Sequence, residues 1–148
     1  MVEIADKIAT LVNQVVPELL KLDRDEVKLK PAPGKWSKQE ILGHLVDSAA
    51  NNHQRFVRAA YQDAVNFTQY IPDEWVRIQN YNQADWYGLV TLWQGYNLHL
   101  SHVIKNLPVD SLTALCNIGK DEPVELGFVV TDYLRHLQHH MDQIVKAG

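Results

Sequence analysis

Four stretches of the chain carry apolar residues at intervals of three and four, the spacing of one face of an α-helix. In the first, Val2 to Leu22, the stripe is Ile4, Ile8, Leu11, Val15, Leu19 and Leu22. Pro17 lies inside it and predicts a kink or an early stop, because proline lacks an amide hydrogen and crowds the preceding turn. A Lys/Pro/Gly stretch, Lys28 to Lys35, then breaks the pattern. The second helix is expected to start at Ser37. Ser37-Lys38-Gln39-Glu40 is a capping box, in which the serine hydroxyl takes the Glu40 amide and the Glu40 carboxylate reaches back to the Ser37 amide. This helix carries Leu42, Leu45, Val46, Ala49, Phe56, Val57 and Ala60 and runs to about Tyr61.

Ala64 to Tyr81 has no clear period and contains Pro72 and Trp75. A loop of that length is expected to do something, such as cover a site. The third helix is expected over Asn82 to Leu107, with Trp86, Leu89, Val90, Trp93, Tyr96, Leu100, Val103, Ile104 and Leu107 on its stripe and Pro108 ending it. Leu112 to Leu126 reads as a short hairpin around Gly119-Lys120-Asp121. The fourth helix runs from Leu126 or Gly127 to Lys146, striped by Phe128, Val129, Tyr133, Leu134, Leu137, Met141, Ile144 and Val145. Four amphipathic helices of this size make an antiparallel-type four-helix bundle the expectation, an all-α fold with a short hairpin between helices three and four. The unequal connections leave simple up-down-up-down order open. Trp75, Trp86 and Trp93 read as packing residues.

The chain has 148 residues, which fits one domain, since a single core typically serves ~100–150 residues. Fourteen Lys and Arg against 18 Asp and Glu give a formal charge of −4. With no basic cluster, that balance argues against nucleic acid as a partner. No window is apolar enough to span a membrane, and the start, with two acids in six residues, is unlike a secretion signal. A single cysteine, Cys116, fits a reducing compartment and reads as a small apolar residue rather than a nucleophile. The expectation is a cytoplasmic protein.

Histidine changes this bland picture. There are seven, at 44, 53, 99, 102, 136, 139 and 140. His136 and His140 are one turn apart on the face that also carries Val129, Tyr133, Leu137 and Ile144, while His139 points about 100° away. His44 borders the core face of the second helix. Facing helices in a bundle are where metal ligands assemble, so these imidazoles are candidate ligands of one divalent ion. Zinc, nickel and ferrous iron all accept imidazole. The competing explanation is three hydrogen-bonded core histidines. His99 and His102 read as a rim pair, and His53 as lying on the outer part of its helix. Asp47, one turn after His44, is the local candidate for an outer partner of a ligand or a general base. Tyr133 and Gln143 border the histidine face and could line a pocket, Tyr133 more simply by packing. Arg55 and Arg58 could hold an anionic substrate group or make surface ion pairs.

Trp36-Ser37-x-x-Glu40-x-x-x-His44-Leu45-x-Asp47 resembles the N-terminal motif of the DinB-like, YfiT-related superfamily. Tyr133-x-x-His136-x-x-x-His140-x-x-Gln143-Ile144 resembles its C-terminal motif, and the two span most of the chain in the right order. Where several members carry Arg-Gly after the last histidine, this chain has Met141-Asp142. The resemblance implies a four-helix bundle with a three-histidine site made by His44, His136 and His140. It implies a divalent ion, often zinc or nickel, and frequently a homodimer. Members include thiol-dependent transferases that use low-molecular-weight thiols, a thiol-dependent isomerase and proteins described as metal-dependent hydrolases. The expectation is therefore a metal-dependent hydrolase or thiol S-transferase acting on a small molecule. The alternative is a non-catalytic metal- or ligand-binding stress or sensor protein.

Overall fold

The computed structural model describes residues 1–146. Its long helices are α1 (Val2–Lys21), α2 (Lys38–Ala59), α4 (Trp86–Lys105) and α5 (Leu126–Val145), and a short α3 (Pro72–Gln79) precedes α4. Among the described residues, no helix is long and apolar enough to cross a membrane.

The four long helices form the expected bundle, with an order the periodicity alone does not give. α1 packs on α4 and α5, and α2 also packs on α4 and α5, so α1 and α2 stand diagonally opposite. The Trp86 indole N–H donates to the Leu19 carbonyl at 3.0 Å and the Ser101 hydroxyl to the Ala5 carbonyl at 2.8 Å, which makes α1 and α4 antiparallel. Gln39 donates to the Ala84 carbonyl while His53 meets Tyr96 farther along, so α2 and α4 run parallel side by side. The C-terminal end of α2 and the start of α5 meet at one small sheet, so α2 and α5 are antiparallel.

Parallel neighbours need a return crossing of the whole bundle. That crossing is the unpatterned segment, and it is not a structureless loop. It contains β1 (Ala64–Asn66), then α3, then a 3-10 turn over Tyr81–Gln83. The α3 start follows ordinary rules: Pro72 at the first turn, where no amide partner is needed, with Asp73 and Glu74 against the positive end of the helix. Asn80, at φ 48°, ends it in the left-handed region. Consequently α4 begins at Trp86, capped by the Asp85 carboxylate, rather than at Asn82. The hairpin is present as β2 (Leu115–Asn117) and β3 (Val124–Glu125), and β1 adds a third strand, parallel to β2 in the register Val65 to Cys116. Both of those residues face the core, and burial pushes the Cys116 thiol up.

The capping box at Ser37 forms as the sequence prescribes, with the Ser37 amide 2.8 Å from Glu40 Oε2 and the Glu40 amide 3.1 Å from the Ser37 hydroxyl. α1 runs through Pro17 to Lys21, so the early stop does not occur. Burial of Ile8, Val12 and Leu19 holds that helix on its neighbours across the missing hydrogen bond. Trp86 and Trp93 are fully enclosed, whereas Trp75 is at the surface against Tyr70.

Candidate metal centre

α2 and α5 cross where His44 faces His136 and His140. His44 is buried, and the other two are half-buried. Each offers one ring nitrogen, and the three lie within 4.8 Å of one another. His44 Nε2 and His136 Nε2 are 3.2 Å apart. Two nitrogens bound to one tetrahedral ion at 2.0–2.1 Å would stand about 3.3 Å apart, so this pair is already at ligand spacing.

The electrostatics suit a cation's ligands. Burial, and then the neighbouring His136 and His140 rings, hold the His44 imidazole down to about 3. Burial first, then His140, lowers His136 to about 4. Burial also lowers His140, against a hydrogen bond to Gln143 that raises it. All three are neutral near pH 7, which is the form that ligates. His140 Nδ1 is 2.8 Å from Gln143 Oε1, so the N–H lies on Nδ1 and the Nε2 lone pair is free. The Nδ1 atoms of His44 and His136 are buried without a partner. Trp36 packs its indole on the His44 ring at 4.9 Å between centroids and shields it. Three clustered imidazoles, two of them with a buried Nδ1 that has no partner, make poor sense as a core and good sense as a cation site.

The low imidazole values give the metal-free protein a pH signature. The unfolded chain binds protons from about pH 6.5 downward, while the folded His44 and His136 do not until about 3 and 4. The stability these neutral rings support is therefore full above about 6.5 and drains as pH falls toward 4. A melting series should show Tm falling by roughly 5–10 °C over that interval, and by less in a His44→Gln variant. A profile equally steep in both proteins contradicts this assignment.

A cavity of about 660 Å³ opens beside the cluster, bounded by Trp36, Ile41, Lys35, Asp73, His140 and Gln143 among others. That is within the usual size of small-molecule sites. Gln143 thus both lines the cavity and orients His140.

Asp47 is buried and makes no bond to a histidine. Its Oδ1 accepts from the Tyr81 hydroxyl at 2.6 Å and from Gln79 at 2.8 Å, while Oδ2 is buried and unpartnered. Burial raises its pKa against those two hydrogen bonds. Tyr133 lies in the bundle centre, its hydroxyl donating to Asn97 Oδ1 and its ring edge-on to Phe56, so it packs rather than lining the cavity. Arg55 is half-buried on α2, and Arg58 lies over the Phe67 ring. His53 sits half-buried on the α2–α4 seam beside Tyr96 and His99, not on the outside of its helix. His99, His102 and His139 are exposed.

Sequence reasoning missed Gln79 and Tyr81. The Pro72-Asp73-Glu74 start could have revealed α3, but not that its end would return to Asp47.

Fold and cluster together define an α-helical bundle with a three-imidazole centre of metal-ligand type between two facing helices. The chain belongs to the DinB superfamily, whose model matches residues 10–144. It is 21% identical over 138 residues to proteins of Bacillus cereus and of Bacillus thuringiensis subsp. konkukian named putative metal-dependent hydrolases; the match covers 93% of this chain and 79% of theirs. Its fold is similar to that of YfiT from Bacillus subtilis, described as a probable metal-dependent hydrolase with an unusual four-helix bundle topology. That comparison has a TM-score of 0.81 at 19% identity and covers 96% of this chain and 84% of that one. The fold is also similar to that of a mycothiol-dependent maleylpyruvate isomerase, with a TM-score of 0.76 at 13% identity. This chain, 97% covered, spans 60% of that protein.

Proposed function

We propose that the protein is a metal-dependent enzyme acting on a small molecule, with hydrolysis as the first reading. The observation that carries it is the set of three neutral imidazoles whose ligand nitrogens lie within 4.8 Å of one another, with His140 at the wall of a 660 Å³ cavity. A bundle stabilised only by packing has no need of buried imidazole nitrogens left without partners, as the Nδ1 atoms of His44 and His136 are. The names of the Bacillus relatives agree with this reading.

His44, His136 and His140 would hold a divalent ion, zinc or nickel before iron. When bound, such an ion supplies Lewis acidity, polarising an acyl or phosphoryl oxygen and lowering the pKa of water or of a thiol. The chain supplies the rest. Gln143 fixes the His140 tautomer, and Trp36 keeps water from the outer face of His44. Tyr81 and Gln79 hold the Asp47 carboxyl in one orientation, leaving Oδ2 as the oxygen to accept a proton. With an elevated pKa, Asp47 is a better base than an ordinary carboxylate.

Thiol transfer is the second reading, since a three-nitrogen set also suits a thiolate and the mycothiol-dependent isomerase shares this fold. Zinc- and nickel-loaded protein should be screened against ester, amide and phosphoester substrates, and against electrophiles with and without low-molecular-weight thiols. Turnover should appear in one panel and fall at least ~100-fold in His140→Ala, with helicity retained. Activity unchanged in His140→Ala, or none in any panel, overturns the enzymatic reading and leaves a metal-binding protein.

A further inference from the structure

The inward face of α2 stays polar well beyond His44. His44, Ser48, Asn52 and Arg55 follow at spacings of four, four and three and so share one helix face. Asp47, Ser48 and Asn52 are all buried. The Asn52 amide donates back to the Ser48 carbonyl at 2.9 Å and to its hydroxyl at 3.3 Å, and the stripe ends at the Arg55 guanidinium. Polar groups are costly along a buried bundle face. A stripe of them that starts at a candidate metal ligand and ends at a cation looks like the wall of a binding site.

Arg55 itself is poorly compensated. Its one hydrogen bond among the described residues runs from Nη1 to Asn52 Oδ1 at a long 3.4 Å. Among the described residues, no carboxylate comes within 4.0 Å of it. Asp132, the acid across on α5 whose field it feels, is bound instead to Arg135 at 2.5 Å. The guanidinium is thus half-buried, with no carboxylate of the described residues bonded to it as a counter-ion. A guanidinium in this state presents its donors to an oxyanion, for which its fork is shaped.

Separation sets the size of the ligand. Eleven residues at ~1.5 Å place Arg55 about 16 Å from His44 along the helix axis; both side chains lean toward the N-terminus, so only the greater length of arginine shortens the gap, to roughly 12–14 Å between guanidinium and imidazoles. We propose that Arg55 is the anion anchor of this site, and that its substrates are small organic anions whose carboxylate or phosphate is held by Arg55 while the reacting group lies at His44, His136 and His140. This rests on the metal-dependent reading above and adds the substrate class to it.

The test uses aliphatic dicarboxylates of four to ten carbons and matched monocarboxylates, titrated calorimetrically into zinc-loaded protein. In the wild type, one dicarboxylate length should bind at least ~10-fold more tightly than its monocarboxylate, the value of a charged bidentate contact. Arg55→Met, which keeps the apolar stem, should erase that advantage and leave zinc content unchanged. Arg55→Lys should keep part of it. An advantage that survives in Arg55→Met, or that is absent from the wild type, overturns the proposal while the metal reading stands. Phenylglyoxal labelling of Arg55 in metal-free wild-type protein, read by peptide mass spectrometry, gives an arm independent of metal and of any variant's folding. The best dicarboxylate should slow labelling, and an unchanged rate overturns the anchor. If the protein takes up no zinc, the metal reading fails and the labelling result alone decides the anion site.

Discussion

His44→Leu should abolish metal retention and at the same time stabilise the metal-free protein. The two effects have one cause. His44 is buried against His136 and His140, its Nδ1 has no partner, and burial holds its imidazole neutral. A buried polar atom without a partner costs ~1–3 kcal/mol, and leucine fills a similar volume without that cost. His136 loses a neighbour at 3.2 Å, but it is half-buried and can turn the freed nitrogen to water. Metal-free His44→Leu should therefore melt roughly 3–8 °C above metal-free wild type at pH 7. Losing a ligand should weaken metal binding by more than the ~10–100-fold that an outer partner alone is worth. Scanning calorimetry with and without zinc reads both. Wild type should gain stability from zinc and the variant should not. A variant less stable than metal-free wild type would mean that His44 is a structural histidine.

Gly43→Ala should be among the most damaging substitutions of one carbon in the chain. On helix propensity alone it should help, by ~1 kcal/mol. Packing opposes this, because a Cβ at Gly43 would lie 2.1 Å from Tyr81 Cδ2 and 2.3 Å from Cγ. Those atoms are near the root of a buried ring and cannot swing aside cheaply. Moving the ring also withdraws the Tyr81 hydroxyl from Asp47, which already has one unpartnered oxygen. Overpacking and a lost charged hydrogen bond together outweigh the helix gain, for a net cost of ~2–3 kcal/mol and a Tm about 5–10 °C lower. An unchanged or raised Tm would show that Tyr81 does not rest on the α2 backbone beside the candidate ligands.

What the sequence reveals follows the range of the forces involved. The start of α2 is legible because the Ser37–Glu40 capping box is complete within four residues. The pairing of His136 and His140 is legible because one helical turn fixes it. His44 is a third candidate from its place beside the core face of the second helix, and the resemblance between motifs singles it out as their partner. The parallel placement of α2 beside α4 was out of reach, because long-range contacts such as Gln39 with Ala84 set it. For the same reason the segment over 64–81 looked structureless. Its helix has a readable start at Pro72, but its purpose, carrying Gln79 and Tyr81 to Asp47, depends on the crossing. Tyr133 has the spacing of a pocket residue, yet its hydroxyl finds Asn97 across the bundle.

The most direct measurement is elemental analysis of the untagged protein, as purified and again after loading with zinc or nickel and exhaustive dialysis. A metal centre at His44, His136 and His140 requires close to one equivalent of a divalent transition metal per chain, removable by a chelator and restored on reloading. Metal far below one equivalent even after loading would contradict the centre and return these three histidines to the core.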